Sequence, residues 1–416
     1  MRTRRASYPS ASDGITFLIR PGPLKRRRLS QISEGELSAS PAGSSVLELL
    51  HDELLVSIMA KLSSSASSPM DLISVMLTCK RLCAAATHPL VLANASMAAL
   101  AVKARSWSDD ADRFLQECVK SGSAEAAYTL GMIKFYCFRE HESGAALMAQ
   151  AALKPHARAL HSLAVIQFNG SGGSRKDKNL KNGATLCAKA AAQGHIDAIR
   201  ELGHCLQDGY GVPKSVSEGR RLLLEANARE AAAAVAASPQ VFAGKAASAV
   251  AASPRSFVET ALTLAHHQHY HAQHRSVVSK VDASTQGGAS SLWQVDSFWR
   301  LLHGSGCSLL SDFGCNVPPP QLHIANRFMV DWFAMNPPEA GLRLCSHAGC
   351  GRPETRRHEF RRCSSCGTVN YCSRSCQALD WKIRHKYECY PFEDREDEGD
   401  EVEDDDERNQ DHNQDS

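Results

Sequence analysis

Seven cysteines lie between positions 345 and 389 of this 416-residue chain, and they come in short pairs. The spacings are C-x4-C, C-x2-C and C-x3-C, followed by H-x3-C. These eight residues are Cys345, Cys350, Cys363, Cys366, Cys372, Cys376, His385 and Cys389. Thiolates and histidine nitrogens are the ligands of structural zinc, and eight of them suffice for two tetrahedral ions. The apolar residues between the pairs are too few for a core, so we expect two Zn²⁺ ions to stabilise the segment.

The spacing alone does not say which ligands share an ion. His347 and His358 lie in the same window and could replace a ligand. An alternative is that these cysteines are small buried apolar residues, but four successive pairs argue against it. A disulfide framework is also disfavoured. We see no secretory signal and no apolar run long enough to span a membrane, so we expect a nuclear or cytoplasmic protein with reduced thiols.

The run from Tyr371 to Cys389, "YCSRSCQALDWKIRHKYEC", resembles the second half of a MYND-type zinc finger. The resemblance implies two interleaved ligand sets. Cys345, Cys350, Cys372 and Cys376 would hold one ion, and Cys363, Cys366, His385 and Cys389 the other. It also implies that the finger binds a short proline-containing peptide. Gln377 and Trp381 would contact this peptide from one face of a helix that starts near Ser375. The alternative is that Trp381 fills the small core of the finger.

Two short patterns repeat three times in the middle of the chain. A-x3-L-[GA] starts at Ala126, Ala159 and Ala198, and G-x2-L-x-[AL]-x-A starts at Gly144, Gly183 and Gly219. The spacing of 33 to 39 residues predicts an α-solenoid of paired helices, in which the small residues let two helices approach closely. The pattern resembles Sel-one-like repeats, relatives of the tetratricopeptide repeat, which implies protein binding on a concave face.

Near the N-terminus, two runs with apolar residues at helical spacing predict an amphipathic helical hairpin, Val46–Leu62 and Pro69–Leu82. We expect Asp52 to cap the first helix. One interpretation is a capping unit for the solenoid. The sequence is also similar to an F-box, which implies a surface that binds a Skp-type adaptor. The residues that would form it are Leu50, Leu54, Leu55, Ile58 and Leu72.

These observations predict a mostly α-helical protein made of several modules. We expect a disordered basic tail (1–44), an F-box-like module (45–95), Sel-one-like repeats (96–228), a low-complexity linker (229–290), a connecting segment (291–340), a zinc finger (341–391) and a disordered acidic tail (392–416). This order resembles that of a plant family of F-box proteins with a C-terminal MYND finger.

Three functions are compatible with this organisation. The F-box resemblance implies a substrate-recruiting subunit of a Skp–cullin–RING ubiquitin ligase, which would bind an adaptor, a cullin and an unknown protein substrate. The alternative is a scaffold or transcriptional cofactor that acts through the repeats and the finger. An enzyme is the third, but no cofactor loop or acid–base pair is recognisable, so we expect an adaptor without a catalytic site. The net charge of +2 and the lack of exposed aromatics among the basic residues of the finger make nucleic acid an unlikely partner.

Overall fold

The computed structural model describes residues 50–237 and 321–391, with the side chains of 235–237 left out of account. Helices dominate both ranges, and the two strands are two residues long each. The predicted α-helical class is therefore confirmed. The predicted tails and most of the predicted linker and connecting segment lie outside the described residues.

The N-terminal module consists of four short helices: α1 (Asp52–Ser65), α2 (Pro69–Met76), α3 (Lys80–Ala86) and α4 (Pro89–Ala93). Its core contains Leu55, Met59, Leu72, Ala86 and Val91. The second helix starts at a proline, which fits the first turn because that position needs no backbone donor. Asp71 lies in the first turn of α2, and its carboxylate accepts hydrogen bonds from the backbone amides of Ser67 and Ser68, which precede the helix. These contacts fix the entry of α2.

The structure corrects two expectations in this module. The predicted second helix is interrupted, because Cys79 has an extended backbone and its sulfur accepts a hydrogen bond from the amide of Leu82, which starts α3 anew. Asp52 does not cap α1. The residue before the helix is His51, and the Asp52 carboxylate instead pairs with Arg81 at 2.7 Å. This pair ties α1 to α3.

The middle of the chain forms three helix pairs after a leading helix, α5 (Asp109–Lys120). A 3₁₀ turn at Ala104–Ser106 precedes α5, and another lies at Arg175–Asp177. The pairs are α6 (Ala124–Met132) with α7 (His141–Ala152), α8 (Ala157–Asn169) with α9 (Leu180–Ala192), and α10 (Ile196–Asp208) with α11 (Val216–Ala237). A π-helical turn, Ile133–Cys137, extends α6. Glycines in the left-handed conformation end α8 and α10, at Gly170 and Gly209, as is common at helix C-termini.

The repeated small residues bring the two helices of a pair into close contact. A Cβ atom added at Gly144 would lie 2.8 Å from the carbonyl oxygen of Gly131, and one at Gly219 would lie 2.7 Å from that of Gly203. In the second pair, a Cβ at Gly183 would meet the ring of Phe168 at 2.7 Å. No larger side chain fits these positions without separating the helices. The glycines of the repeat are therefore a packing requirement.

Two helical stretches differ from the predicted boundaries. Helix α11 continues to Ala237 and buries Ala231 and Ala232, so the solenoid does not end at 228. The predicted connecting segment contains a helix, α12 (Ile324–Met335). Its buried Phe328 and Met329 join the core of the first repeat. The chain thus returns to the solenoid before it reaches the finger.

The C-terminal finger consists of a short β-hairpin followed by short helical segments. Strands β1 (Arg361–Arg362) and β2 (Asn370–Tyr371) form an antiparallel hairpin, with Arg361 opposite Tyr371. After it come α13 (Arg374–Asp380), a π-helical turn at Trp381–His385, and α14 (Lys386–Glu388). The Tyr371 hydroxyl donates to Asp380 at 2.7 Å and so joins the hairpin to α13. Among the described helices, none has the length and apolar character needed to cross a membrane.

Candidate metal centres

The eight predicted ligands form two separate groups, each with its ligand atoms within 4.8 Å of one another. The first group is Cys345, Cys350, Cys372 and Cys376, all buried. The second is Cys363, Cys366, His385 and Cys389. These are the two interleaved sets that the MYND resemblance implies. His347 is buried and His358 is exposed, and neither belongs to a group.

The geometry of both groups fits a tetrahedral ion. Four sulfurs at zinc–sulfur distances of about 2.3 Å would be separated by about 3.8 Å. In the first group, Cys372 Sγ lies 3.6 Å from Cys350 Sγ and 3.5 Å from Cys376 Sγ. In the second, Cys363 Sγ and Cys389 Sγ are 4.0 Å apart, and Cys366 Sγ lies 3.6 Å from His385 Nε2. The described residues can therefore hold two ions through these side chains.

The ligands come from turns that position them in pairs. Cys363 and Cys366 lie in the loop between β1 and β2, where Gly367 takes a φ of 65° and donates its amide to the Cys363 carbonyl. Cys372 follows β2, and Cys376 lies in the first turn of α13. Burial raises the pKa of Cys366, but hydrogen bonds with Thr368, the Val369 backbone and the Cys363 side chain together outweigh it and bring the pKa to about 7. A lowered pKa favours the thiolate, the form that binds metal.

Arg352 connects the first group to the repeats. Its buried guanidinium has Nη1 3.7 Å from Cys372 Sγ and Nη2 2.7 Å from the Ser162 hydroxyl on α8. It also lies 5.8 Å from the ring of Tyr136. Four thiolates around one divalent ion leave two negative charges, and a nearby guanidinium offsets part of them where water is excluded. Val165 of α8 packs into the same cluster.

Further contacts fix the finger on the first helices of the repeats. The Ser375 amide and hydroxyl, at the start of α13, bond to Glu201 at 3.2 Å and to the Asp197 carbonyl at 2.7 Å. Burial raises the pKa of the Glu201 carboxyl to about 7. Lys382 forms a buried ion pair with Glu230 of α11, which also accepts from Arg200 at 2.9 Å. Hydrogen bonds and ion pairs therefore hold the finger on the solenoid.

Helix α12 is held to the same face by a half-buried carboxylate. Glu125 of α6 lies 2.6 Å from His323 Nε2 and 3.2 Å from His156 Nε2. Burial raises the pKa of Glu125, but the hydrogen bonds with these two histidines outweigh it and hold the pKa well below its usual value. Contacts from α12 and the finger thus reach the first helix of each pair, at Glu125 of α6, Ser162 of α8 and Glu201 of α10.

The residues predicted to bind the adaptor divide into two sets. Leu55 and Leu72 are 1% and 2% exposed and hold the N-terminal helices together, and Leu50 is half-buried at the edge of that core. Leu54 and Ile58 are 54% and 47% exposed. They are one turn apart on α1, so they lie on the same side of that helix.

Gln377 and Trp381 are both half-buried on α13 and the turn after it. The Trp381 ring lies edge-on to His385, with ring centroids 5.7 Å apart. Part of the indole therefore packs against the second ligand group while part stays accessible. The peptide-binding role of these two residues stays a prediction.

Sequence reasoning missed the residues that join the finger to the solenoid. Arg352, Glu201, Glu230 and His323 carried no recognisable pattern. Helix α12 did carry a signal, because Ala325, Phe328, Met329 and Trp332 are spaced as one face of an amphipathic helix. Reading that periodicity would have located the helix, although its partner surface would have stayed unknown.

Comparison with known proteins gives matches over most of the chain. Family models for plant tetratrico peptide repeats and for the MYND finger match residues 98–182 and 345–389. The Arabidopsis thaliana F-box protein At1g67340 is 50% identical over 398 residues, which cover 94% of each chain. The Arabidopsis thaliana F-box protein At5g50450 is 48% identical over 348 residues, 83% of this chain and 85% of that one.

Two solved structures show limited similarity. A Sel1 repeat protein from Oxalobacter formigenes has a TM-score of 0.30 at 16% identity, covering 41% of this chain and 66% of its own. The protective antigen c5321 from uropathogenic Escherichia coli, which has an SLR fold, gives 0.35 at 17% identity, covering 58% and 51%. At these scores the solved structures add nothing to the architecture described above.

Proposed function

Because this chain belongs to the plant F-box proteins that carry helical repeats and a C-terminal MYND finger, we propose that it is the substrate-recruiting subunit of a Skp–cullin–RING ubiquitin ligase. In this role it would act in the nucleus or cytoplasm as an adaptor without its own catalytic site. The N-terminal module would bind a Skp-type adaptor that connects it to a cullin. The repeats and finger would hold a protein substrate.

The observation that carries the proposal is the pair of exposed apolar side chains on α1. Leu54 and Ile58 expose about half of their surface although Leu55 and Met59, on the same helix, fill the core. A four-helix module that keeps two large apolar residues in water at adjacent positions loses the free energy of burying them. Contact with an apolar groove of an adaptor would recover it.

We propose further that the two ligand groups hold Zn²⁺ as a structural ion. Each group supplies four protein ligands, so no coordination position is left for a substrate or an attacking water. The ions would supply rigidity to the finger. His385 binds through Nε2, because this nitrogen faces Cys366.

The test of the ligase role is capture of the adaptor by purified full-length protein. Leu54→Asp and Ile58→Asp, singly and together, should lower adaptor binding by at least about tenfold each, since a charge at the centre of an apolar contact costs more than 1.4 kcal/mol. Leu153→Asp is the matched control, because Leu153 is 89% exposed on the repeats and lies outside the module. Zinc content and helicity should stay unchanged in all variants.

Two outcomes would contradict the proposal. If the double variant captures the adaptor as well as the native chain does, the binding surface is assigned to the wrong residues. If the native protein captures no Skp-type adaptor, the scaffold function takes its place, with the repeats and finger as the interacting surfaces.

A further inference from the structure

A band of basic side chains runs across the junction of the repeats and the finger. It consists of Arg175, Lys176 and Lys178 from the loop between α8 and α9, and of Arg356 and Arg361 from the finger. We call these five residues the basic seam. Four of them are exposed, and Arg356 is half-buried.

The two halves of the seam are held together by direct contacts. Arg356 donates to the Gly170 carbonyl at 2.7 Å, and the Thr355 hydroxyl accepts from the Gly172 amide at 2.8 Å. Lys178 lies against the same Gly170. Burial lowers the pKa of Lys178, and the charges of Arg356, Arg175 and Arg361 lower it further. The cations are therefore close enough to repel one another.

The carboxylates near the seam are already engaged. Asp177 accepts from the Ser174 amide and hydroxyl at 2.6 and 2.9 Å. Glu359 is buried, accepts from the Thr355 hydroxyl at 2.6 Å and forms an ion pair with Arg356 of the seam at 3.8 Å, and Asp208 pairs with Arg374 at 2.7 Å. Holding like charges together at this site has a free-energy cost that an anionic partner would offset.

The sequence contains an anionic segment that follows the finger. Residues 393–407 include twelve carboxylates and one arginine, and they lie outside the described residues. The segment begins four positions after Cys389, whose sulfur is 4.0 Å from that of Cys363, two positions after Arg361 of the seam. Fifteen residues can extend about 50 Å at most, and a tether this short gives a high effective concentration.

We propose that the acidic segment 393–407 of this chain binds back onto the basic seam and covers it. The contact joins many exposed charges, each of them weak alone and screened by salt. Because both halves of the seam take part, the bound segment would bridge the finger and the repeats. It would also compete with acidic segments of other proteins for the same surface.

The first test measures how tightly the seam binds the acidic segment when that segment is added as a separate peptide. The probe is a fluorescein-labelled synthetic peptide of residues 393–407, and binding is followed by anisotropy at low and high salt. The full-length native chain is compared with a full-length variant in which the twelve carboxylates are replaced by Asn and Gln. We expect the variant to bind the peptide at least about tenfold more tightly, because its seam is open, and to lose that binding at about 0.5 M salt.

Charge reversal then locates the binding surface. In the carboxylate-free variant, Arg175→Glu, Lys178→Glu and Arg361→Glu together should abolish peptide binding. Lys61→Glu, Lys80→Glu and Lys103→Glu are the matched control, since these three lysines are exposed and lie outside the seam. The control should bind as before, and zinc content should stay the same in both.

A second measurement uses the native chain unaltered. A carbodiimide joins carboxylates to contacting amines, so at low salt it should link residues 393–407 to Lys176 or Lys178. Mixing light and heavy isotope forms of the protein distinguishes links within one chain from links between two chains, and we expect links within one chain. Equal peptide affinity in the two proteins, insensitivity to charge reversal, or cross-links only between chains would each overturn the proposal. It would equally be overturned if the open seam binds a poly(U) RNA but not the acidic peptide.

Discussion

At the scale of single residues, the function of a cysteine depends on its neighbours and its distances. Cys118 and Cys187 are fully buried among apolar side chains, and burial raises the pKa of both thiols. Cys372 and Cys376 are also buried, but they lie 3.5 Å from each other and near two further thiols. Burial alone therefore does not identify a ligand, whereas a group of four sulfur or nitrogen atoms at the edge lengths of a tetrahedron does.

We expect Cys376→Ala to lower the zinc content of the purified protein from two ions per chain to no more than one. Structural zinc contributes on the order of 10–16 kcal/mol to folding in finger peptides, so the first site cannot persist with three ligands unless the finger rearranges. Metal analysis measures the result. Cys118→Ala, which removes an equally buried thiol outside both groups, should keep two ions. Equal zinc content in the two variants would mean that Cys376 is not a ligand.

At the scale of the elements, helix pairing depends on a few positions without side chains. Gly144 of α7 approaches both the backbone of Phe135 and the carbonyl of Gly131. Glycine in a helix is unfavourable by about 1 kcal/mol relative to alanine, so its presence here indicates that close packing outweighs propensity. The same relation holds between Gly203 and Gly219 in the third pair.

Gly144→Val should therefore destabilise the protein, although helix propensity by itself favours valine over glycine. A Cβ at this position would lie 2.6 Å from the Phe135 amide nitrogen, and overpacking of this kind costs about 1–3 kcal/mol. Urea unfolding followed by circular dichroism measures the change. Ala146→Val, at an exposed position of the same helix, should lower stability only by the propensity difference, no more than about 0.7 kcal/mol. If both variants behave alike, the helices are not in close contact at Gly144.

At the scale of the whole molecule, the finger and the repeats form one structural unit. Ion pairs join them at Arg374–Asp208 and Lys382–Glu230, and the Asn169 amide donates to the Cys372 carbonyl at 2.8 Å. Helices α8, α10 and α11 of the repeats consequently bind this chain's own C-terminal part. A substrate of the proposed ligase would have to bind the remaining surfaces of this unit, including those of the finger that face away from the repeats.

Replacing Arg352 should lower the free energy of unfolding more than replacing another arginine of the finger does. Arg352→Ala leaves the charge of the first ligand group and the Ser162 hydroxyl without their buried partner, and losing one member of a buried charged contact costs about 3–5 kcal/mol. Arg357→Ala, at an exposed position of the same loop, should cost less than about 0.5 kcal/mol. Urea unfolding at neutral pH with zinc present compares them. Similar stabilities would show that Arg352 does not join the finger to the repeats.

The sequence alone determined the local features of this protein. Ligand spacing within a few residues predicted eight ligands in four pairs, enough for two metal ions, because a short pair can bind one ion. Repeated small residues predicted the paired helices, because helix packing depends on the side-chain volume at fixed positions. The grouping of the ligands into interleaved sets came from family resemblance, since spacing by itself fits several pairings.

Only the tertiary structure decided which surfaces meet. Arg352 and Ser162 are far apart in the chain, as are Glu125 and His323, and no periodicity relates them. The apolar residues of α1 looked equivalent by helical spacing, but packing buried Leu55 and left Leu54 and Ile58 exposed. Which residues of a helix become buried depends on the shape and charge of the surface that packs against that helix. A sequence pattern describes one surface at a time, so the contact between the finger and the repeats could be read only from the folded chain.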